Sequence, residues 1–315
     1  MVKKKSAPSR YDEILAEIQM ASLNAQQDFR HRKDLIKKLE TEDGPAPRRV
    51  AMYYAQLNKA IGHEDILPFT SMLKGLGKVQ NLDLIIHSPG GDGLAADKMM
   101  DLCRKYCSGT LRIIIPLYAK SAATLIGLSG DEMVMGETSE LGPIDAQVFI
   151  IQDGAPQQVS ADHFLRAAKE ATSKLASPNQ EEVEAAKIQL ACMSPAFLQQ
   201  CQDLQNFGKQ FAKRQLQTHM FSVEYAADPS AWAIKIDTLV ENLTASGKYL
   251  SYGKMITAAD VAKDPELQCL KIKTLGDSDP YWLALDDLLQ RTDVVAKMQQ
   301  FGKILMASDF QMVSK

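Results

Sequence analysis

The stretch "LRIIIPLYAKSAATLIGL", residues 111–128, begins with the most apolar run of the chain and delivers a serine among very small residues. The run over residues 111–119 predicts a buried strand, and residues 121–128 predict a short helix beginning at Ser121. Small side chains after a strand allow another group to approach the backbone closely. Ser121 is therefore either a nucleophile or a helix N-cap, and the rest of the sequence has to distinguish the two roles.

A second unusual turn follows another apolar strand, in "LDLIIHSPGGDG", residues 82–93. Because neighbouring parallel strands bring their carboxyl ends to the same edge of a sheet, we expect the two turns to face each other. Gly91 offers a backbone N–H without steric obstruction, and Ala122 offers an N–H at a helix start, with no intrahelical partner. Such a pair can donate to a developing oxyanion, an interaction worth about 10²–10³ in rate per donor. The positive end of the helix also favours negative charge there.

Short strands alternate with helices from residue 49 to about residue 136, which predicts a largely parallel sheet. Residues 11–40 lack glycine and proline and carry apolar side chains at helical spacing, so we expect an amphipathic helical arm. After residue 160 the composition favours helices over 161–176, 179–222 and 230–246, then a short strand near 267–272 and a closing helix from Tyr281 through Met306.

Composition bounds the class of protein. The chain has 315 residues, 45% of them hydrophobic, and a net charge of −3, which argues against nucleic-acid binding. Its five cysteines are scattered and odd in number, a pattern typical of reduced thiols. No signal peptide or apolar run long enough to span a membrane is visible, so we expect a cytoplasmic protein.

Three elements occurring together, "SPGG", "SAAT" and "LGPIDAQ", make a specific resemblance. The segments "LDLIIHSPGGDGLAADKMMDLCRKY" and "IIIPLYAKSAATLIGLSGDEMVMGETSELGPIDAQ" resemble the serine dehydrogenase proteinase family, part of the Clp-protease/crotonase superfamily and related to signal peptide peptidases. The resemblance is dense over residues 47–150 and thins to a helical pattern up to about residue 275.

The resemblance implies an α/β fold with a Clp/crotonase-like parallel sheet core, a helical C-terminal half and an N-terminal helical arm. It suggests an arm over residues 1–45, a protease domain over 46–275 and a C-terminal helical tail over 276–315. Ser121 matches the family's nucleophile, and Asp145 matches the acidic position proposed for its triad. The oxyanion-hole region matches Gly90, Gly91 and Ala122.

The general base is the one part of the family pattern that this sequence alters. Tyr252, within "LSYGKMITAAD", stands where the family has a histidine. Lys254 lies two residues beyond it, and a desolvated lysine can act as the base of a Ser–Lys dyad. Lys169 and Lys174 lie on the helix where signal peptide peptidases supply their lysine. The remaining candidates are His219, in the helical region, and His87, which borders "SPGG" but is disfavoured because strand alternation can turn its side chain away from the site.

The leading interpretation is a serine peptidase that cleaves polypeptides through a Ser121 acyl-enzyme and needs no metal, nucleotide or other cofactor. We expect a homo-oligomer, and any unfolding of substrates would need a separate ATPase or adaptor. Two alternatives stay open. One is an inactive scaffold or binding relative, motivated by Tyr252, and the other is a crotonase-type acyl-CoA enzyme, whose oxyanion hole also uses two backbone N–H groups.

Overall fold

The structure is a computed structural model that describes residues 9–20, 25–42, 47–152, 154–244 and 255–315. Twelve helices lie within these residues: α1 (Arg10–Met20), α2 (Ala25–Glu42), α3 (Ile66–Leu76), α4 (Gly93–Tyr106), α5 (Ala122–Leu128), α6 (Ala161–Lys174), α7 (Gln180–Ala191), α8 (Pro195–Gln215), α9 (Ser222–Ala227), α10 (Pro229–Asn242), α11 (Ala258–Lys263) and α12 (Pro280–Gln299). A 3₁₀ turn covers His63–Asp65, and a π turn covers Leu216–Met220.

Twelve strands lie within the same described ranges: β1 (Arg48–Ala55), β2 (Asn81–His87), β3 (Leu111–Ile115), β4 (Tyr118–Ala119), β5 (Glu132–Gly136), β6 (Glu140–Leu141), β7 (Gln147–Gln152), β8 (Ala155–Ser160), β9 (Ile256–Thr257), β10 (Ile272–Leu275), β11 (Lys303–Ala307) and β12 (Phe310–Ser314). The chain forms two compact units, one of residues 1–141 with 256–315 and one of residues 142–255.

The first unit is built on a seven-stranded sheet with the order β10-β5-β3-β2-β1-β11-β12. The five strands from β10 to β1 are parallel, and β11 and β12 are antiparallel to their neighbours. A small sheet of β4, β6 and β9 lies in the same unit. The α/β class and the mainly parallel sheet predicted from the sequence are thus confirmed.

Strand alternation divides the side chains of the sheet between its two faces. Tyr54, Ile85 and Ile114 belong to a buried cluster with α12 and α2, so this face of the sheet carries those helices. Ile115 follows Ile114 in β3, so its side chain points to the other face. Helix α5 lies on that face, because a Cβ on Gly127 in α5 would lie 3.5 Å from the Ile115 Cδ1 atom. The helix that begins after Ser121 therefore packs on the face opposite α12.

The N-terminal arm packs inside the first unit. Ile36 and Leu39 of α2 are buried in the cluster with α12, and Ile14 and Ile18 of α1 pack with valines of α12. Within the described parts of α1 and α2, the apolar stripe that the sequence shows is therefore packed against the chain's own residues. This burial removes the stripe as support for self-association, and the homo-oligomer remains a prediction.

The second unit contains the β7–β8 hairpin and helices α6 to α10. Val148, Ala161 and Cys201 form its small buried cluster, next to an edge-to-face contact of Phe164 and Phe197 with centroids 4.9 Å apart. The expected helix over 179–222 is interrupted after α7, where Ser194 caps α8 and Pro195 occupies its first turn.

The sequence suggested a helical C-terminal tail, but the structure shows that the tail also contains strands. Helix α12 ends at Gln299, because Gln300 adopts a left-handed conformation with φ 56°. Residues 303–307 then form β11, which pairs with β1 inside the main sheet. The run "KILMA" is too short for its periodicity to separate a buried strand from a helix.

No helix within the described ranges is long and apolar enough to cross a membrane.

Candidate active site

The two turns predicted to face each other are in direct contact. The Ser88 N–H donates to the Tyr118 carbonyl (3.2 Å), and the Lys120 N–H donates to the Ser88 carbonyl (3.1 Å). A Cβ on Gly90 would lie 2.3 Å from the Lys120 carbonyl oxygen and 2.8 Å from the Ser121 Cβ. Only a glycine permits this approach, so the first glycine of "SPGG" sets the distance between the turns.

Ser121 has a strained backbone and a side chain that caps nothing. Its φ of 51° and ψ of −118° lie in a region that residues with a Cβ rarely adopt. It stands at the N-cap position of α5, yet its hydroxyl makes no cap hydrogen bond. The helix start is held instead by Thr124, whose hydroxyl donates to the Ala119 carbonyl at 2.7 Å. The geometry therefore does not support the N-cap role for this serine.

The backbone N–H groups near Ser121 differ in whether they already donate a hydrogen bond. The Gly90 N–H donates to the Ser88 hydroxyl at 3.1 Å. In the described ranges, by contrast, the N–H groups of Gly91 and Ala122 donate no hydrogen bond to the protein. A Cβ on Gly90 would lie 3.2 Å from the Ala122 nitrogen, so this amide borders the same turn. Two amides are thus left to bind an oxygen atom of a ligand.

Gly91 is fixed by Ile61, in the loop that follows β1, rather than by Ser121. Its φ is 144°, and a Cβ there would lie 2.3 Å from the Ile61 carbonyl oxygen. The amides on either side are tied to the same residue, since Ile61 N–H donates to Gly90 and Asp92 N–H donates to Ile61. Asp92 then caps α4 through the Leu94 N–H at 2.8 Å.

Sequence reasoning missed one histidine near this turn. His63 Nδ1 lies 3.7 Å from Asp92 Oδ2, and its side chain is 76% exposed. The available signal was its position just after β1, because β1 and β2 end at the same edge of the sheet.

Four of the residues weighed for the triad lie in the second unit. Asp145 is buried, His219 is half-buried, and Lys169 is exposed on α6. Lys174 is exposed and binds Glu170 at 2.6 Å, and this hydrogen bond raises the pKa of its ammonium group. A base must be neutral to accept a proton, so the pairing disfavours Lys174. Tyr252 and Lys254 lie outside the described residues.

His87 points to the sheet face that carries α12. It is opposite Tyr54 in the β1–β2 register, and the two rings stack with centroids 4.9 Å apart. Burial lowers the pKa of the imidazole to about 4, so it is neutral at pH 7. The alternation of β2 thus turns its ring to the face opposite α5, as the sequence analysis considered.

Lys120, the neighbour of Ser121, is engaged as well. Its ammonium group binds Glu140 at 2.8 Å and lies 5.9 Å from the centre of the Tyr118 ring. The ion pair links β6 to the segment before the serine.

Comparison with known proteins finds curated relatives and solved structures that are similar to this chain. Two uncharacterized proteins of Methanocaldococcus jannaschii are 35% identical over 99 residues and 31% identical over 122 residues. These matches cover 31% and 36% of this chain, and 34% and 41% of the relatives. The chain therefore spans about a third to two fifths of the length of these curated relatives.

Solved structures with similar folds include a monofunctional enoyl CoA isomerase from M. smegmatis, with 9% identity, a TM-score of 0.35 and coverage of 82% of this chain and 88% of the isomerase. The membrane-bound stomatin-specific protease 1510-N has 12% identity and a TM-score of 0.31 over 75% of this chain and 100% of its own. At these TM-scores the likenesses carry no argument about activity.

The family comparison is more specific. Residues 19–171 match the family described as ClpP-like SDH-type serine proteinases, and this range contains both turns and the "LGPID" segment. Over residues 19–171, this chain is similar to the ClpP-like SDH-type serine proteinases.

Proposed function

We propose that this protein is a serine peptidase in which Ser121 is the nucleophile and the amides of Gly91 and Ala122 form the oxyanion hole. The observation that carries the proposal is the state of Ser121: a strained backbone with φ 51° and a hydroxyl that caps nothing, although it begins a helix. Strain of this kind persists where the surrounding structure enforces it, and it is characteristic of sites that present a reactive group.

The reaction follows the geometry of the two turns. Ser121 Oγ attacks the carbonyl carbon of a peptide bond and gives its proton to a base. The negative charge that develops on the carbonyl oxygen is stabilised by the amides of Gly91 and Ala122. Collapse of this intermediate breaks the C–N bond, and the departing amine takes up the proton. Water then hydrolyses the Ser121 ester and regenerates the hydroxyl.

The general base is the part of the proposal for which several residues are candidates. Lys254 and Lys169 are the lysines put forward for it, with Asp145 as the acidic partner. Lys174 is less suited because Glu170 holds it charged. His63 is a further candidate, since it lies beside Asp92 in the loop that follows β1. We propose a polypeptide substrate and, as in the sequence analysis, a homo-oligomer with a separate unfoldase or adaptor.

Labelling with a fluorophosphonate probe tests the nucleophile directly. The probe forms a stable ester with an activated serine, so the wild-type protein should label and Ser121→Ala should not. Hydrolysis of fluorescein-labelled casein should fall at least about 10³-fold in the same variant.

Ser129→Ala is the matched control. Ser129 lies at the other end of α5, is fully buried, and donates its hydroxyl to the Leu125 carbonyl at 2.7 Å. It should label as the wild type does. Equal labelling of Ser121→Ala and the wild type would remove Ser121 from the mechanism, and no labelling of any folded protein would favour the inactive scaffold.

A further inference from the structure

A cavity of about 860 Å³ lies in the first unit, between the carboxyl ends of the strands and helices α1 and α12. His87, Tyr54 and Tyr118 are among the residues that line it, whereas Ser121 and the two glycines of the oxyanion turn are not. The volume is in the range of pockets that hold small organic molecules. Leu57 also lines the cavity and is 72% exposed, so solvent reaches it.

The polar groups of this cavity fall into a satisfied set and an unsatisfied set. Asp293 is satisfied, because it accepts from Tyr54 at 2.7 Å and from Tyr11 at 3.0 Å and pairs with Lys297 at 2.7 Å. His87 is not. Its Nδ1 atom is buried without a hydrogen-bond partner in the described part of the chain, and the side chain is only 4% exposed.

An unpartnered imidazole in such a place is costly unless a ligand or water satisfies it. Tyr118 flanks it, with ring centroids 4.0 Å apart, and its hydroxyl has no hydrogen bond to the described residues either. A neutral imidazole and a phenol each donate and accept hydrogen bonds. Together they offer an uncharged, hydrogen-bonding wall.

The remaining lining sets the shape and charge of a ligand. The stacked rings of Tyr54 and His87 and the side chain of Leu289 favour a flat, apolar body. A negatively charged ligand is disfavoured, since Asp286 and Asp293 line the cavity and Lys297, the one lysine among the lining residues, is paired with Asp293.

We propose that this cavity is a binding site for an uncharged, planar aromatic molecule that carries a hydrogen-bonding group, and that His87 and Tyr118 recognise that group. Burial supports the neutrality of both residues: it lowers the pKa of His87 to about 4 and raises the pKa of Tyr118 to about 12. The site does not depend on the peptidase activity, because it lies on the sheet face opposite α5.

The test uses 2-naphthol, a fluorescent bicyclic phenol that is uncharged at pH 7, with the full-length protein. Its fluorescence should report saturable binding of one molecule per chain, and 2-naphthoate, the anion of similar shape, should bind more weakly. His87→Phe keeps a ring but removes both nitrogens and should raise the Kd at least about fivefold. Tyr118→Phe should do the same if His87→Phe fails to fold.

The control is His163→Phe, on the exposed surface of α6, which should bind as the wild type does. No saturable binding of 2-naphthol at millimolar concentration would overturn the proposal. So would a Kd that is unchanged in both His87→Phe and Tyr118→Phe, or tighter binding of 2-naphthoate than of 2-naphthol.

Discussion

The same two strand ends build two different environments on opposite faces of the sheet. On the α5 face, the backbone of Gly90 and the small side chain of Ser121, the proposed nucleophile, lie within contact distance. On the α12 face, His87 and Tyr118 place large rings around a cavity. His87 immediately precedes the "SPGG" turn, and Tyr118 lies three residues before Ser121. Alternation of side chains thus allows a short segment to contribute to the proposed active site on one face and to the proposed binding site on the other.

The largest expected effect concerns the base on the reactive face. A positioned base contributes about 10²–10⁴ in rate, so replacing it should cost that much. Lys254→Met and Lys169→Met test the two lysines, and Lys174→Met is the control on the same helix as Lys169. A lysine base must lose its proton to work, so casein hydrolysis should rise with pH over about 7–8 and lose that rise in the critical variant.

His63→Gln tests the histidine beside Asp92. A histidine base would give a rise in rate near pH 6–7 instead. Full activity in Lys254→Met, Lys169→Met and His63→Gln, measured while Ser121 still labels, would contradict all three assignments and leave Asp145 or a bound water as the proton acceptor.

The next effect tests whether Gly90 is needed for its close contact with Ser121 or only for the conformational freedom of a glycine. Gly90→Ala should cost about 10²–10³ in the rate of Ser121 labelling, because the new Cβ would lie 2.8 Å from the Ser121 Cβ and displace it. Gly77→Ala is the matched control: φ there is 73°, but nothing lies within 4 Å of the new Cβ. It should lose about 1–3 kcal/mol of stability and keep its labelling rate.

Circular dichroism should verify that both variants are folded at the assay temperature. If Gly90→Ala labels as fast as Gly77→Ala, the contact between the turns does not position the serine. The contrast between the two faces would then lose its physical basis.

The contact between the two turns could be predicted from the sequence, whereas the cavity on the α12 face could not. Both turns follow strongly apolar strands, so Gly90 and Ser121 could be placed at the same edge from local patterns alone. The cavity depends on contacts that no local pattern reveals. Tyr54 donates to Asp293, which lies 239 residues further along the chain. The strand β11 was missed for a related reason, since its place in the sheet is set by pairing with β1.

The smallest expected effect is the dependence of stability on pH that His87 contributes. Burial holds the pKa of His87 at about 4 in the folded protein, against an ordinary value of 6.5. Below about pH 6.5 the unfolded chain therefore binds a proton that the folded protein excludes, and stability falls as the pH decreases towards 4. The total is up to about 3 kcal/mol, and replacing His87 by Phe should remove this component.

Urea unfolding between pH 7 and 5 measures the effect in the wild type, His87→Phe and the exposed control His163→Phe. The comparison has to allow for Asp293, whose charge acts on the imidazole. Although burial opposes it, hydrogen bonds from Lys297 and Tyr54 hold the pKa of Asp293 below its usual range. Its stabilisation is therefore lost only at lower pH, when the carboxylate is protonated. A difference between the wild type and His87→Phe above pH 5 thus reports the imidazole. Equal slopes in the two proteins would mean that His87 takes up its proton in the folded state, and the wall of the cavity would then be cationic rather than neutral.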